Sequence, residues 1–396
     1  MLDRFPGLQA EIAAIRRDIH AHPELGLEEL RTSDIVARKL REWNIETHPG
    51  IGQTGVVGVI RGKRPGNRMI GLRADMDALP ILEQSGLPHA STHHGVMHAC
   101  GHDGHTAMLL GAARVLAENP NFAGTVILIF QPAEEGRGGA RAMVDDGLFD
   151  RFPCDAIYGL HNRPGLPVGQ FANRRGPLMA AGDRWRVIFR GKGGHGGSTP
   201  HFTQDLTVVA GHFLLALQTI VSRNVPSAEQ AVLSVGHIIA GNLDAPAVMP
   251  AELLVAGVCR TFSAATRLTL LRRIEELAQH LAAAHGCAAE FANRQSGFVV
   301  DNADAPTSVA AAAAIRTVGE DNFDGDVVRS TGGEDFAEMM MVVPGCMSLI
   351  GNGGDAPERQ SPRLHTPLYD FNDDAIPYGV AFWCNVVQLE LNGEAG

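Results

Sequence analysis

Residues 98–105, HACGHDGH, place one cysteine and three histidines within eight positions. Thiolate and imidazole groups at this spacing suit either ligation of a transition metal or a nucleophilic site. The chain contains no C-x-x-C pair, which argues against a zinc ribbon or a redox motif. An isolated motif of this kind is more often a packing or surface feature than a ligand set. The assignment therefore depends on what the rest of the chain brings to the same place.

Acidic and histidine residues follow four apolar, strand-like runs of the sequence. Asp75 and Asp77 come after MIGL, Glu134 and Glu135 after TVILIF, His161 after AIYGL, and His365 after CMSLIG and a glycine-rich loop. Each residue alone has an ordinary explanation as a cap, a solvated acid or a hydrogen-bonded histidine. In open α/β sheets, however, ligands bind at the carboxyl ends of the strands. The pattern therefore predicts one shared site at that edge.

The residue types at this edge indicate which ion the site would hold. Cysteine, histidine and glutamate suit Zn²⁺, Mn²⁺, Co²⁺ or Ni²⁺ better than Ca²⁺ or Mg²⁺. The Cys100 thiolate could bridge two such ions, because its sulfur carries spare lone pairs. Of the adjacent Glu134 and Glu135, one is expected to coordinate metal and the other to act as general base for an attacking water.

Two kinds of region position these residues. The first half of the chain alternates helical patterns with continuous apolar runs, which favours a mostly parallel sheet covered on both faces. Residues 183–293 instead read β-α-β-β-α-β, the order of a ferredoxin-like unit. We predict an α/β catalytic domain from 1–182 and 294–396 and an inserted α+β ferredoxin-like domain from 183–293.

Composition excludes several classes of protein. The chain of 396 residues is 45% hydrophobic and 19% charged, which is typical of a globular protein. Its net charge of −11 and scattered lysines and arginines argue against nucleic-acid binding. We expect no apolar run that approaches the ~20 residues of a membrane span. Six thinly spread cysteines and no signal-peptide pattern favour the cytoplasm.

Seven motifs together resemble those of the M20 peptidase family: RADMDALP, MHACGHDGHTAMLLGAA, FQPAEEG, GLHN, GKGGHGG, GGEDF and LHTPLYDFND. They are most similar to its amidohydrolase branch, which includes hippurate hydrolases, N-acetyldiaminopimelate deacetylases and auxin-conjugate hydrolases. The resemblance spans nearly the whole chain. It implies a two-metal catalytic domain, an inserted domain that forms a homodimer or dimer of dimers, and a small N-acyl amino acid or amide conjugate as substrate.

The resemblance also implies a role for individual residues. The implied ligands of two divalent ions are Cys100, His102, Glu135, His161 and His365. Glu134 matches the general base. Asp75 matches an acid that supports a metal ligand without binding the metal itself. His195, in GKGGHGG of the inserted domain, matches a histidine that reaches the substrate. His98 and His105 match motif positions that are not ligands, so we expect them to make structural hydrogen bonds.

The inserted domain carries two further candidates. Asn224 and Arg260 could hold a substrate carboxylate, and an arginine suits that role through bidentate hydrogen bonds. An exposed strand residue is an equal alternative for Arg260. The sequence GGHGGSTPH departs from the family's GGHAAxPH by one additional residue between His195 and His201. Because the change lies in the insert, it concerns the choice of substrate and not the reaction.

Three alternatives stay open on the sequence alone. Cys100 could be the nucleophile of a cysteine hydrolase, which would leave Glu135, His161 and His365 without a role. The chain could be a metal-bearing binding protein without catalytic activity, although a complete ligand set and base argue against this. It could also be a peptidase or aminoacylase of another M20 branch, but those usually carry aspartate where this chain has Cys100.

Overall fold

The computed structural model describes residues 7–353 and 363–392, and the chain divides into two compact units. The first unit comprises Met1–Leu178, Val300–Val328 and Asp335–Gly396, and the second comprises Met179–Val299 and Arg329–Glu334. The sequence predicts residues 179–182, 294–299 and Arg329–Glu334 in the catalytic domain, whereas all three segments belong to the second unit. In the structure the Ala180 N–H donates to the carbonyl oxygens of Ser330 and Gly332, which ties Arg329–Glu334 to the second unit.

Helices and strands alternate through most of the chain. The first unit begins with α1 (Leu8–Ala21), α2 (Leu30–Glu42), β1 (Glu46–Ile51), β2 (Gly55–Arg61), β3 (Arg64–Asp75), α3 (His102–Glu118), β4 (Ala123–Gln131), α4 (Gly139–Asp145), α5 (Leu148–Arg151), β5 (Ala156–Arg163), β6 (Phe171–Ala172) and β7 (Gly176–Met179). The second unit contains β8 (Ala181–Arg190), β9 (Gly194–His195), α6 (Leu206–Asn224), β10 (Ala231–Ala240), β11 (Val248–Met249), β12 (Glu252–Thr261), α7 (Ala264–Ala284) and β13 (Ala288–Gly297). The first unit is completed by β14 (Val300–Asn302), α8 (Asp304–Val318), β15 (Phe323–Asp324), α9 (Phe336–Met340), β16 (Gly345–Gly351) and α10 (Ile376–Asn392).

Eight strands of the first unit form one sheet in the order β1-β2-β4-β3-β5-β16-β6-β15. The central strands β4, β3, β5 and β16 run parallel. Strand β2 is antiparallel to both β1 and β4, and β6 is antiparallel to β16. The sheet is therefore mixed: most of its neighbouring strands are parallel, as predicted, and antiparallel pairs occur on both sides of the parallel centre. Strand β2 reverses because only residues 52–54 join it to β1, whereas a parallel crossover needs about a dozen residues or more.

The parallel centre brings the ends of its strands to one edge. In the register of the sheet, Asp75 at the end of β3 lies beside Gln131 at the end of β4, and Gly351 of β16 lies beside Arg163 of β5. The strands themselves are buried, and α3 and α10 pack against the sheet and against each other. Residues that follow these four strands consequently start from a common edge.

The second unit has its own sheet and core. Its four long strands are antiparallel in the order β10-β12-β8-β13. In β8, Trp185, Val187 and Phe189 are buried with the apolar face of α6, and the residues between them are exposed or partly exposed. The Asp205 side chain caps α6 by accepting hydrogen bonds from backbone N–H groups at its first turn.

Helix α6 is the exception to the expectation that the chain has no long apolar segment. By length and composition, Leu206–Asn224 is a helix apolar enough to cross a membrane. Its buried residues Val209, Phe213, Leu217 and Ile220 recur every three or four positions and join the core of the second unit. This periodicity is typical of a helix that packs one face on a sheet.

A buried ionic network joins α1 to the start of α3 in the first unit. The His20 Nδ1 donates to the Asp103 carboxylate at 2.8 Å, and the Arg16 guanidinium lies 3.3 Å from the same group. Arg16 also contacts Asp370 and Asp373, each at 2.8 Å. Burial alone would lower the pKa of His20, but Asp103 raises it to about 10. His20 is therefore charged in the folded protein at neutral pH.

We predict that His20→Gln lowers the free energy of unfolding by about 3 kcal/mol at pH 6, because it breaks a buried pair. The folded-state pKa of His20 lies above its ordinary value of 6.5, so its contribution is full below pH 6.5 and is lost as the pH rises through about 10. Denaturant unfolding of the two proteins between pH 6 and pH 10 measures this difference. A gap that stays constant over this range would contradict the assignment, and His22→Gln, a partly exposed histidine, is the control.

Candidate metal centre

Two groups of side chains at the edge of the sheet share one sulfur. The potential ligand atoms of Cys100, His102 and His161 lie within 4.8 Å of one another, and so do those of Cys100, Glu135 and His365. The five predicted ligands are therefore brought together in the first unit. Because Cys100 belongs to both groups, the arrangement has the form of two neighbouring cation sites with a common donor.

The loop before α3 places Cys100 and His102 on the two sides of Gly101. Gly101 adopts a left-handed φ of 88°, a conformation that glycine takes without steric cost. A Cβ at this position would collide with the Tyr369 hydroxyl and the Asn162 amide. The tight turn at Gly101 therefore lets the chain enter α3 with both candidate ligands facing the site.

A carboxylate behind the site fixes the orientation of His102. The His102 Nδ1 lies 3.1 Å from Asp77 Oδ1, and Asp77 Oδ2 accepts a hydrogen bond of 2.9 Å from the Glu135 N–H. A carboxylate can only accept here, so Nδ1 carries the hydrogen and Nε2 is the ring atom left to bind a cation. In the described part of the chain, His102 Nε2 and Glu135 Oε1 are buried without a hydrogen-bond partner. Buried acceptors of this kind are what a cation would satisfy.

His161 is held in the same tautomer by its own backbone. Its Nδ1 donates to the carbonyl oxygen of Asn162 at 2.7 Å, which leaves the Nε2 lone pair 3.6 Å from the Cys100 sulfur. Burial raises the pKa of the Cys100 thiol to about 12, so without a cation the sulfur is protonated at neutral pH. Binding of a divalent ion would have to displace that proton.

His365 and Glu135 form the more accessible part of the centre. His365 Nε2 lies 2.9 Å from Glu135 Oε1 without hydrogen-bond geometry, and half of the His365 side chain is exposed. The backbone of His365 has a φ of 63°, and its N–H donates to the Ala99 carbonyl at 2.8 Å. A non-glycine residue held in this strained region is typical of functional sites. His365 therefore leaves the centre open to solvent on this side.

The donor set as a whole fits borderline transition ions. One thiol, three imidazoles and one carboxylate match the preferences of Zn²⁺, Mn²⁺, Co²⁺ and Ni²⁺. The buried His102 Nε2 and Glu135 Oε1, which lack hydrogen-bond partners, are an independent reason to place a cation here.

Asp75 occupies a different position from the supporting role expected of it. Its Oδ1 accepts a hydrogen bond of 2.6 Å from His105 Nδ1, and its Oδ2 pairs with Arg73 at 2.8 Å. Burial would raise the pKa of Asp75, but His102, Arg73 and His105 hold it well below its ordinary value. Its distance to His102 Nε2 is 3.7 Å. The carboxylate hydrogen-bonded to a candidate ligand is thus Asp77, two residues further along the chain.

Asn162 links three segments around the site and was not among the predicted residues. Its side-chain amide donates to the Cys100 carbonyl at 2.6 Å and lies 2.9 Å from His105 Nε2, and its oxygen accepts from the Tyr369 hydroxyl at 2.8 Å. Burial lowers the pKa of His105 to about 4, so the ring is neutral and Nε2 accepts. The signal in the sequence was the polar residue directly after His161 in GLHN.

The predicted base, Glu134, follows a strained residue. Ala133 has a φ of 54°, and its N–H donates to Glu29 at 2.8 Å. Glu29 is fully buried and also accepts from the Thr54 hydroxyl at 2.6 Å, and burial raises the pKa of its carboxyl group. Glu134 Oε1 in turn accepts from the Asp335 N–H at 3.3 Å. Glu29 therefore holds the turn that carries both glutamates of the site.

The remaining predicted residues lie in the second unit. His195 is exposed on β9, Asn224 is exposed at the end of α6, and Arg260 is partly buried on β12. The His195 Nδ1 accepts from the N–H groups of Gly197 and Ser198 at 3.1 and 3.2 Å. Its Nε2 therefore carries the hydrogen and is available as a donor. Asn224 accepts a hydrogen bond of 3.3 Å from Arg273.

Comparison with known proteins identifies the family of this chain. Residues 71–389 match Peptidase family M20/M25/M40. The chain belongs to peptidase family M20. It is 38% identical over 379 residues to Hippurate hydrolase of Campylobacter jejuni, with 96% of each protein covered. It is 39% identical over 370 residues to N-acetyl-L-cysteine deacetylase of Bacillus subtilis, which covers 93% of this chain and 85% of that protein.

A solved M20 structure agrees with this assignment. A Bacillus subtilis protein described as a dinuclear metal binding peptidase from the M20 family superposes with a TM-score of 0.84 at 33% identity, covering 98% of this chain and 99% of that one. The resemblance to the amidohydrolase branch of M20 is confirmed by these relatives.

The assignment of Asp77 in this M20 chain leads to a test of metal affinity. We predict that Asp77→Asn raises the metal dissociation constant by about 10–100-fold, because an amide cannot accept from both His102 and the Glu135 N–H. Competition with a chromogenic chelator measures it. Asp146→Asn, the same change at a carboxylate that accepts from the Gly52 N–H elsewhere, should leave the affinity unchanged. If Asp75→Asn weakened metal binding and Asp77→Asn did not, Asp75 would be the supporting acid, as the sequence predicts.

Glu29 leads to a second test. We predict that Glu29→Ala destabilises the fold by about 1–3 kcal/mol, because the buried Ala133 N–H loses its acceptor, and lowers kcat at least ~10-fold by misplacing the base. Glu29→Gln should retain most activity, because the amide can accept from Ala133 and donate to the Thr54 hydroxyl. Steady-state kinetics and denaturant unfolding check both. Equal kcat for the wild type and Glu29→Ala would show that the contact does not position the base.

Proposed function

We propose that the protein is a metal-dependent amidohydrolase that cleaves the amide bond of small N-acyl amino acids or related amide conjugates. The observation that carries the proposal is the pair of donor groups sharing Cys100, with the Glu134 carboxylate within 4.8 Å of the ligand atoms of His102 and Glu135. The two ions, Zn²⁺, Mn²⁺, Co²⁺ or Ni²⁺, would polarise the acyl carbonyl and make a water molecule acidic enough to attack at neutral pH.

Glu134 is the general base of the proposed reaction. Its carboxylate removes a proton from the attacking water and then delivers it to the leaving nitrogen, so that the amine departs neutral. The Asp335 N–H donates to Glu134 Oε1, which leaves the orientation of the carboxylate defined. Glu135, the next residue, is proposed as a metal ligand. Its N–H donates to Asp77, and its side chain lies beside His365.

Residues of the second unit are proposed to recognise the substrate. His195 would donate from Nε2 to the developing oxyanion, a contact worth roughly 3 kcal/mol in comparable sites. The support for this role is its tautomer, which the N–H groups of Gly197 and Ser198 fix. Arg260 and Asn224 are proposed to hold the substrate carboxylate, with the guanidinium making bidentate contacts.

The proposed substrate class is supported by the names of two relatives. Hippurate and N-acetyl-L-cysteine, the compounds in the names of these relatives, are both N-acylated amino acids.

We further propose a homodimer, supported by exposed Ile238 and Ile239 on the edge strand β10. A cytoplasmic location is proposed because all six cysteines are free thiols.

The physical state of Cys100 weighs against a cysteine hydrolase. A nucleophilic cysteine needs a lowered pKa, whereas burial raises that of Cys100 to about 12. The sulfur also lies between two sets of candidate ligands, which a nucleophile would not require.

The substrate class can be tested by amine release from a panel of benzoyl, acetyl, succinyl-diaminopimelate and indoleacetyl conjugates. The chelator-treated protein would be assayed with and without added Mn²⁺, Zn²⁺, Co²⁺ or Ni²⁺. Cleavage of one class that is restored by metal supports the proposal. Silence across the panel from folded, metal-loaded protein would favour a binding role instead.

The role of Glu134 gives a sharper prediction. Glu134→Gln should lower kcat by at least ~10²-fold, since an amide cannot take the proton of the water, while the metal content stays at the wild-type level. The matched variant Glu135→Gln should lose activity together with bound metal. Kinetics and metal analysis of both variants distinguish the two roles. If Glu134→Gln kept near-normal turnover, the assignment of the base would be wrong.

A further inference from the structure

The sheet of the second unit has one face covered by helices and another that carries arginines. In β8, Trp185 and its alternate neighbours point to the helices, whereas Arg184 and Arg186 are exposed on the opposite face. Arg294 of β13 is exposed and lies directly beside Arg184 in the register. Three guanidinium groups thus gather on the helix-free face.

These arginines border an open pocket on that face. Its volume is about 490 Å³, which is within the range of small-molecule sites. The floor is made of small residues, because Ala256 and Ala292 flank Arg186 on the two neighbouring strands. A bulge in β10 brings His237 opposite Ala256, so a further polar donor joins the same side.

Another arginine of the same strand, Arg190, is paired with acidic side chains. Arg190 also lies on the helix-free face of β8, and it pairs with Glu252 at 3.1 Å and with Glu290 at 2.7 Å. These acids come from the two strands that flank β8. At Arg184 the same two strands supply Val258 and Arg294 instead.

The arrangement at Arg184 is unfavourable without a ligand. Within residues 7–353 and 363–392, no acidic side chain lies within ion-pair distance of Arg184, Arg186 or Arg294. Like charges placed directly opposite each other in a sheet destabilise it. The chain as a whole is acidic, with 44 aspartates and glutamates against 33 lysines and arginines, so acids were available for this face as they were for Arg190.

We propose that this pocket binds a small organic anion that carries two or more carboxylate or phosphate groups. Guanidinium groups bind both of these groups through paired hydrogen bonds, and three of them match a ligand with at least two negative charges. The floor of alanine, glycine and valine would contact the carbon skeleton of the ligand. The site is additional to the amide hydrolysis proposed above, and its residues are distinct from Arg260 and Asn224.

Calorimetric titration of the full-length, metal-loaded protein tests this site at constant ionic strength. The probes are glutarate, a dicarboxylate, and glycerol 2-phosphate, with the monoanion butyrate as control. We expect saturable binding of at least one dianion with one site per chain and no saturable binding of butyrate. Preference for glutarate or for the phosphate ester identifies which acidic group the site takes.

Three variants locate the binding. Arg184→Gln and Arg294→Gln should each weaken binding by at least ~10-fold through loss of paired hydrogen bonds, while Arg190→Gln on the same face should change it less than ~2-fold, since that arginine is already paired. Arg184→Gln should also leave Tm in the absence of ligand unchanged or higher, because a like-charge contact is removed. Equal affinity of wild type and both variants, or tighter binding of a single-stranded oligonucleotide than of either dianion, would overturn the proposal.

Discussion

A single sulfur has to serve two sets of ligands at the edge of the parallel strands, and this requirement accounts for much of the first unit. Cys100 must lie within 4.8 Å of donors that arrive from α3, from the end of β5, from the loop after β4 and from the loop before α10. Its thiol is buried and, without a cation, protonated. The turn at Gly101, the Asn162 amide and the Asp77 carboxylate each restrict one of these segments, so the donors are positioned before any ion binds.

The sequence predicted the candidate ligands because their types and their place after apolar runs are both visible in one chain. It placed Cys100, His102, Glu135, His161 and His365 at one site, and the structure brings them together. It did not distinguish Asp75 from Asp77, since both follow the same strand and differ only in how the backbone turns beyond β3. Glu29 was also missed, because its contact with Ala133 joins residues far apart in the chain and depends on a buried backbone N–H.

The fold, too, could be predicted from the sequence only in part. Alternating apolar runs and helices predicted the parallel centre of the sheet, but β2 is as apolar as a parallel strand and reverses direction because of the short turn after β1. In the second unit, Leu206–Asn224 is apolar enough to resemble a membrane segment, and only its contacts with the sheet show which face is buried. The neighbouring strands likewise decide whether an arginine has an acidic partner, as the contrast between Arg184 and Arg190 shows.

The most direct test of the account is the metal content of purified variants, measured by mass spectrometry after dialysis against one transition metal. The wild type is predicted to retain two ions per chain, His161→Ala and His365→Ala one ion each, and Cys100→Ala neither at the same free-metal concentration, because both ions share its sulfur. A wild type that binds one ion, or a Cys100→Ala variant that still binds two, would contradict the shared-sulfur centre on which the proposed function rests.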